Sequence, residues 1–139
     1  MCLNLKQILV SGIMGGSVLL VVTFLADAIT QVIAPYDMFA IGGMRAITDP
    51  VMILFFLYPF IFAIIVAIVW SCIRDSFSGT DRKNAVRYGG LLFLLIIIPN
   101  TWVIFSSMTY PLGFHISNIL TGIIAYPILG YLNVRFNSG

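Results

Sequence analysis

Apolar residues in this chain come in four long blocks separated by short polar breaks. The blocks run from about Ile8 to Ala34, Val51 to Ile73, Tyr88 to Met108 and Phe114 to Val134. About 20 mostly apolar residues let a helix cross roughly 30 Å of hydrocarbon, so each block is long enough. A peptide group in lipid finds no solvent partner, so the blocks are expected as helices, each bonded within itself. The pattern predicts an all-α integral membrane protein. Residues 1–139 form one transmembrane domain, with four transmembrane helices in an antiparallel up-down-up-down bundle, an outer loop at 35–50 and an inner loop at 74–87.

The breaks carry recognisable punctuation. Asp49-Pro50 reads as an N-cap followed by a first-turn proline. Ser78-Gly79 reads as a turn, followed by a Thr80 or Asp81 cap for the third helix. Pro59, Pro99 and Pro127 lie inside the apolar blocks, where each removes a backbone donor and is expected to kink its helix. Tyr58-Pro59 follows Asp49, and Tyr126-Pro127 follows Ser117, at the same spacing; this is a thin hint that the two hairpins are parallel repeats. The loop from Pro35 to Pro50 holds Phe39, Ile41, Met44 and Ile47, which favour the interface over open water. It is expected to lie on the membrane or to dip into the bundle.

Composition agrees with the pattern. The chain is 60% hydrophobic and 9% charged, with a mean hydropathy of +1.08, outside the usual soluble range. Lys6, Arg74, Arg82, Lys83, Arg87 and Arg135 flank one side of the blocks, and Arg45 alone lies on the other. Basic residues collect on the cytoplasmic side, so both termini and the 74–87 loop are expected inside the cell membrane. Trp70, Tyr88 and Tyr131 are expected at the inner interface, and Tyr36, Trp102 and Tyr110 near the outer one. A net charge of +2 gives no reason to expect a nucleic-acid partner. Topology explains the basic loop, which would also attract anionic lipid.

Ala26-Asp27-Ala28 has the form of a signal cleavage site, but only Lys6 precedes it and the apolar run continues beyond, so it is read as part of the first helix. Cys2 and Cys72 form neither a CxxC pair nor a zinc spacing and fall on the reducing side, so free thiols are expected. With one histidine and no glutamate, no metal site and no cofactor are expected.

Candidate chemistry gathers in the outer half of the bundle. In the first helix Gly12, Gly16, Thr23, Asp27, Thr30 and Gln31 fall within an arc of about 100°. Gly12 and Gly16 form a GxxxG that permits close helix packing. Asp27 is the acidic residue set deepest in a block, where a charge costs several kcal/mol unless it is compensated or protonated. At similar depth lie Asn100, Thr101, Ser106 and Ser107 of the third helix and His115, Ser117, Asn118 and Thr121 of the fourth. His115, Asn118 and Gly122 share one helical face. Tyr58 is expected to join them from the second helix, and Arg45 is a candidate counter-ion for Asp27. Asp27 is expected to point into the bundle, within direct or water-mediated reach of at least one of Gln31, Asn100, His115 and Asn118.

The leading expectation is a small membrane protein that binds or passes a small ligand, ion or lipid at this polar pocket, as an oligomer. The alternative is an accessory or assembly subunit of a larger membrane complex, the polar cluster serving only to hold helices in register. An intramembrane enzyme using Asp27 and His115 as acid and base ranks third, since no nucleophile motif accompanies them. Membrane lipid is a partner under every reading.

Overall fold

The computed structural model describes residues 4–137, so the thiol of Cys2 lies outside the described residues. All regular structure among them is helical. Helix α1 spans Leu5–Ile33, and Asn4 caps it by accepting from the Gln7 amide. Helix α2 spans Ile53–Ile73, with a 3-10 turn at each end. Helix α3 (Asp81–Leu92) runs through a π-helical segment, Phe93–Ile97, into α4 (Ile98–Ser107). Helix α5 spans Leu112–Phe136. With α3 and α4 counted as one continuous span, four helices are long and apolar enough to cross a membrane.

Both capping signals appear in the structure. The Asp49 side chain accepts from the Val51 amide at 2.9 Å, with Pro50 in the first turn. That amide, and then the Arg45 guanidinium, hold the Asp49 carboxyl below the usual carboxylate range. Thr80 caps α3, and Gly79 before it adopts φ +137°, a conformation open to glycine and costly for other residues. Helix α3 therefore starts at Asp81, a cap-defined boundary that lies before the apolar block beginning at Tyr88. Helices α2 and α5 continue through Pro59 and Pro127. Pro99 crowds the Leu95 carbonyl and offers it no donor, and the wider π turn sits at this point.

Small residues set the packing order. A Cβ at Gly16 would lie 2.7 Å from Phe60 Cα, and one at Gly12 would strike Ile64, so both glycines of the GxxxG face α2. Gly15 faces the seam between α2 and α5, with Leu129 of α5 2.6 Å and Ala63 of α2 3.2 Å from its Cβ position. Gly130 takes the Ala85 carbonyl, and Gly89 lies beside Pro127 and the Tyr126 carbonyl, so α3 and α5 meet backbone to backbone. The helices thus lie in the order α2, α1, α5, α3, with α1 and α5 in the middle. Helices α2 and α3 come together around Trp70, whose ring is 4.9 Å from that of Tyr88 and 5.1 Å from that of Phe77. Tyr88 donates to the Val66 carbonyl at 2.6 Å. Trp70 and Tyr88, expected at an interface, are instead buried, because each gains aromatic packing there and Tyr88 also gains a carbonyl acceptor. Beyond the π segment the third span leaves the bundle, and α4 has no buried residue.

Candidate functional site

Asp27 sits on α1 about two turns before its end, half-buried, and accepts two hydrogen bonds on one carboxyl oxygen. Tyr36, from the segment after α1, donates its hydroxyl at 2.7 Å. Ser117 of α5 donates at 2.5 Å. Asp27 thereby joins three parts of the chain: its own helix, the following loop and the last helix.

Gln31 makes this geometry possible without touching Asp27. One turn further along α1, its amide nitrogen donates to the Tyr36 carbonyl at 2.7 Å and its amide oxygen accepts from the Tyr36 amide at 3.2 Å. The paired bonds fix the Tyr36 backbone, and the Tyr36 ring packs edge-on against Phe114 at 6.3 Å. Gly113 gives the chain room to turn, since a side chain there would strike the Ala34 carbonyl. Burial, then the hydrogen bond and charge of Asp27, push the Tyr36 hydroxyl up to about 12, so it is a donor at neutral pH.

Above Tyr36 lies an open cleft of about 670 Å³ between the loop at 35–42 and the connection at 107–111. Tyr36 and Asp37 line one side and Ser107, Thr109 and Tyr110 the other. Asp27 and Ser117 do not line the cleft; Tyr36, which does, is bonded to Asp27.

The polar residues expected in one pocket are divided between the two sides of α5. Ser117 turns toward α1 and Asp27. His115 and Asn118 turn toward the third span: the imidazole lies 5.5 Å from the Phe105 ring, and the Asn118 amide approaches the Thr101 hydroxyl at 3.5 Å. His115 is 5% exposed, and its Nδ1 has no hydrogen-bond partner; the buried Thr121 hydroxyl has none either. Asn100 is exposed on the outer side of α4. Tyr58 is also exposed and stacks on Phe62, away from Asp27.

The direct partners of Asp27 are Tyr36 and Ser117, and one expectation about it needs correction. Arg45 is not its counter-ion: four residues before Asp49, it pairs with that carboxylate at 2.8 Å, a shorter reach than a return to α1. Tyr36 was read from sequence only as an interfacial aromatic; the signal for its role was its position a few residues past a helix that ends in a polar stripe.

A second polar cluster occupies the opposite end. Asn137 donates to the Ser11 hydroxyl at 2.9 Å and to the Asn133 side chain at 3.3 Å, while Arg74 donates to the Asn137 carbonyl at 2.7 Å. These bonds tie α1, α5 and the end of α2 together. Asn133, inside the last apolar block, and Asn137, the residue that ends α5, were not singled out in the sequence.

Among the described residues no group of His, Cys, Asp and Glu could hold a metal ion. Compared with protein-family models, curated proteins and solved structures, the chain has no significant match to any of them.

Proposed function

We propose that this chain is an integral membrane protein that binds a small polar ligand in the cleft lined by Tyr36, with Asp27 as the half-buried acceptor behind that tyrosine. The observation that carries the reading is the Tyr36–Asp27–Ser117 set, a carboxyl inside an apolar helix held by two hydroxyl donors, one of which, Tyr36, lines an open cleft. A carboxyl within a membrane helix is costly, and such groups commonly mark ligand or ion paths.

The reading includes an antiparallel up-down-up-down bundle, kinked at its prolines. Its support is the order of partners: along α1, Gly12 and Gly16 meet Ile64 and Phe60, and Gly15 and Asp27 meet Leu129 and Ser117, so partner numbers fall as the α1 numbers rise. The basic residues place both termini and the start of α3 in the cytoplasm, which turns the cleft outward.

The test is a thermal-shift screen of small polar molecules against the protein in lipid nanodiscs. A molecule that raises the melting temperature of the wild type and not of Asp27→Asn or Tyr36→Phe supports the reading. If every stabilising molecule acts equally on all three proteins, the cleft is not a site coupled to Asp27. A second reading, an accessory subunit of a larger complex, is favoured by the departure of α4 from the bundle. It predicts a copurifying protein that is lost when apolar residues of α4 are made polar.

A further inference from the structure

Where the third span leaves the bundle, its outer half and α5 enclose a groove of about 300 Å³, lined by Phe93, Ile97, Ile98, Trp102, Phe105 and Ile119. Thr101 is the only other lining residue and the only one with a hydroxyl. Two of the lining residues, Ile97 and Phe93, pack into the space left by the missing side chain of Gly122. Its volume is at the lower end of ligand pockets, about 300 to 1,000 Å³. That suits a single hydrocarbon chain better than a bulky ring system.

His115 does not line the groove but packs behind the exposed ring of Phe105, which does. A neutral imidazole carries one donor and one acceptor. Leaving such a group buried and unpaired costs about 1 to 3 kcal/mol. Neighbours on its own helix and on the third span offer His115 aromatic edges: Phe114 at 5.8 Å and Phe105 at 5.5 Å. No carboxylate bonds to it, so the site favours a neutral polar group over a cationic one. A rotation of Phe105 opens the imidazole to the groove.

We propose that this groove is a lipid site: one acyl chain lies along Phe105, Trp102, Ile98 and Phe93, and the ester carbonyl of that chain accepts a hydrogen bond from His115. The arrangement matches an ester lipid in three respects. The wall is apolar but for Thr101, the unpaired imidazole lies beside one lining residue, Phe105, and the lining residues from Phe93 to Phe105 follow one membrane helix. The site is on the opposite face of α5 from Ser117 and does not depend on the cleft above Tyr36.

His115 is the only histidine in the chain, so its imidazole nitrogens can be followed alone by nitrogen NMR after selective labelling. The wild-type protein is placed in nanodiscs of a phosphatidylcholine with ester-linked chains, or of its ether-linked analogue, which has the same chains and no carbonyl. An imidazole resonance shifted to its hydrogen-bonded position in the ester discs and not in the ether discs is the expected result. Native mass spectrometry then follows the ester lipid retained through detergent washing. Retention should fall about tenfold in His115→Phe, the worth of one hydrogen bond, and should also fall in Ile119→Trp, which fills the groove and leaves the imidazole in place.

Identical imidazole resonances in the two discs would overturn the proposal, as would equal retention by wild type and His115→Phe. A resonance that shifts only when a decyl-substituted benzoquinone is added to the ether discs would also overturn it, because the carbonyl would then belong to a quinone.

Discussion

The Tyr36 hydroxyl reaches back to the Asp27 carboxyl, 2.7 Å away, so the first loop is fastened to the helix that precedes it. The fastening has two points, because Gln31 holds the backbone of the same tyrosine. Below the loop Ser117 binds the same carboxyl oxygen, and the tether therefore extends to α5.

Tyr36→Phe removes one hydrogen bond to a carboxyl and should cost about 1 to 2 kcal/mol. Amide hydrogens of residues 35–42 should exchange faster, while those of α2 keep their protection. Gln31→Ala should act in the same direction, and the double variant should lose less than the sum, since both bonds hold one segment. Additive losses with unchanged exchange in the loop would show that the two bonds are independent of loop position.

Alkaline pH should open the same tether. The folded hydroxyl of Tyr36 ionises at about 12, above its ordinary value of 10.0. Because the folded value is the higher one, the stabilisation is complete below the ordinary value and is lost as pH rises from there through about 12. The phenolate absorbance of the wild type minus that of Tyr36→Phe should therefore contain one step, and that step should lie above the ordinary tyrosine value. It should move toward the ordinary value in Asp27→Asn, where the carboxylate contribution is reduced.

Gly130 of α5 and Gly89 and Gly90 of α3 should not all respond alike. Gly130→Ala forces a methyl group against the Ala85 carbonyl, a backbone atom that cannot turn aside, and should destabilise by about 1 to 3 kcal/mol. Gly89→Ala meets the Pro127 backbone and should behave alike. At Gly90, a Cβ would meet nothing within 4 Å, and alanine there should stabilise the helix by about 0.5 to 1 kcal/mol. Melting in detergent separates the cases; a Gly130→Ala protein as stable as the wild type would mean that α3 and α5 do not pack through their backbones.

Orientation can be measured directly. With Cys2 and Cys72 replaced by serine, a cysteine introduced at Gly42 should react with an impermeant reagent from outside intact cells. One introduced at Ser78 should react only after the cells are opened. The reverse pattern would invert the protein and place the cleft on the cytoplasmic side.

Helix positions were legible in this sequence because lipid solvation demands length and apolarity, and both are one-dimensional quantities. The caps at Asp49 and Thr80 were legible because they are local. The partners of Asp27 were not, for two reasons. Tyr36 lies beyond the end of α1, and its return depends on the pair of bonds from Gln31, which hydropathy does not record. The polar residues of α5 share a depth but not a direction: Ser117 and Asn118 are adjacent in sequence yet serve opposite neighbours, α1 and the third span. Depth follows from counting along a helix, whereas direction needs the packing order set by Gly15, Gly89 and Gly130, and any of the glycine pairs in the chain was an equal candidate for that role.

The packing order α2, α1, α5, α3 also bears on how the chain is made. Helices α1 and α2 emerge from the ribosome consecutively, and Gly12 and Gly16 are ready to receive Phe60 and Ile64 as soon as the second appears. Helix α3 comes next, but the surface formed by Gly130 and Tyr126 that accepts it belongs to the helix synthesised last. During that interval the contacts of Tyr88 with the Trp70 ring and the Val66 carbonyl are available to retain the third span beside the first two. A release of nascent chains carrying Tyr88→Ala at this stage, before α5 is complete, should therefore leave the third span unprotected from crosslinking to the insertion machinery, while chains with intact Tyr88 have already moved away from it.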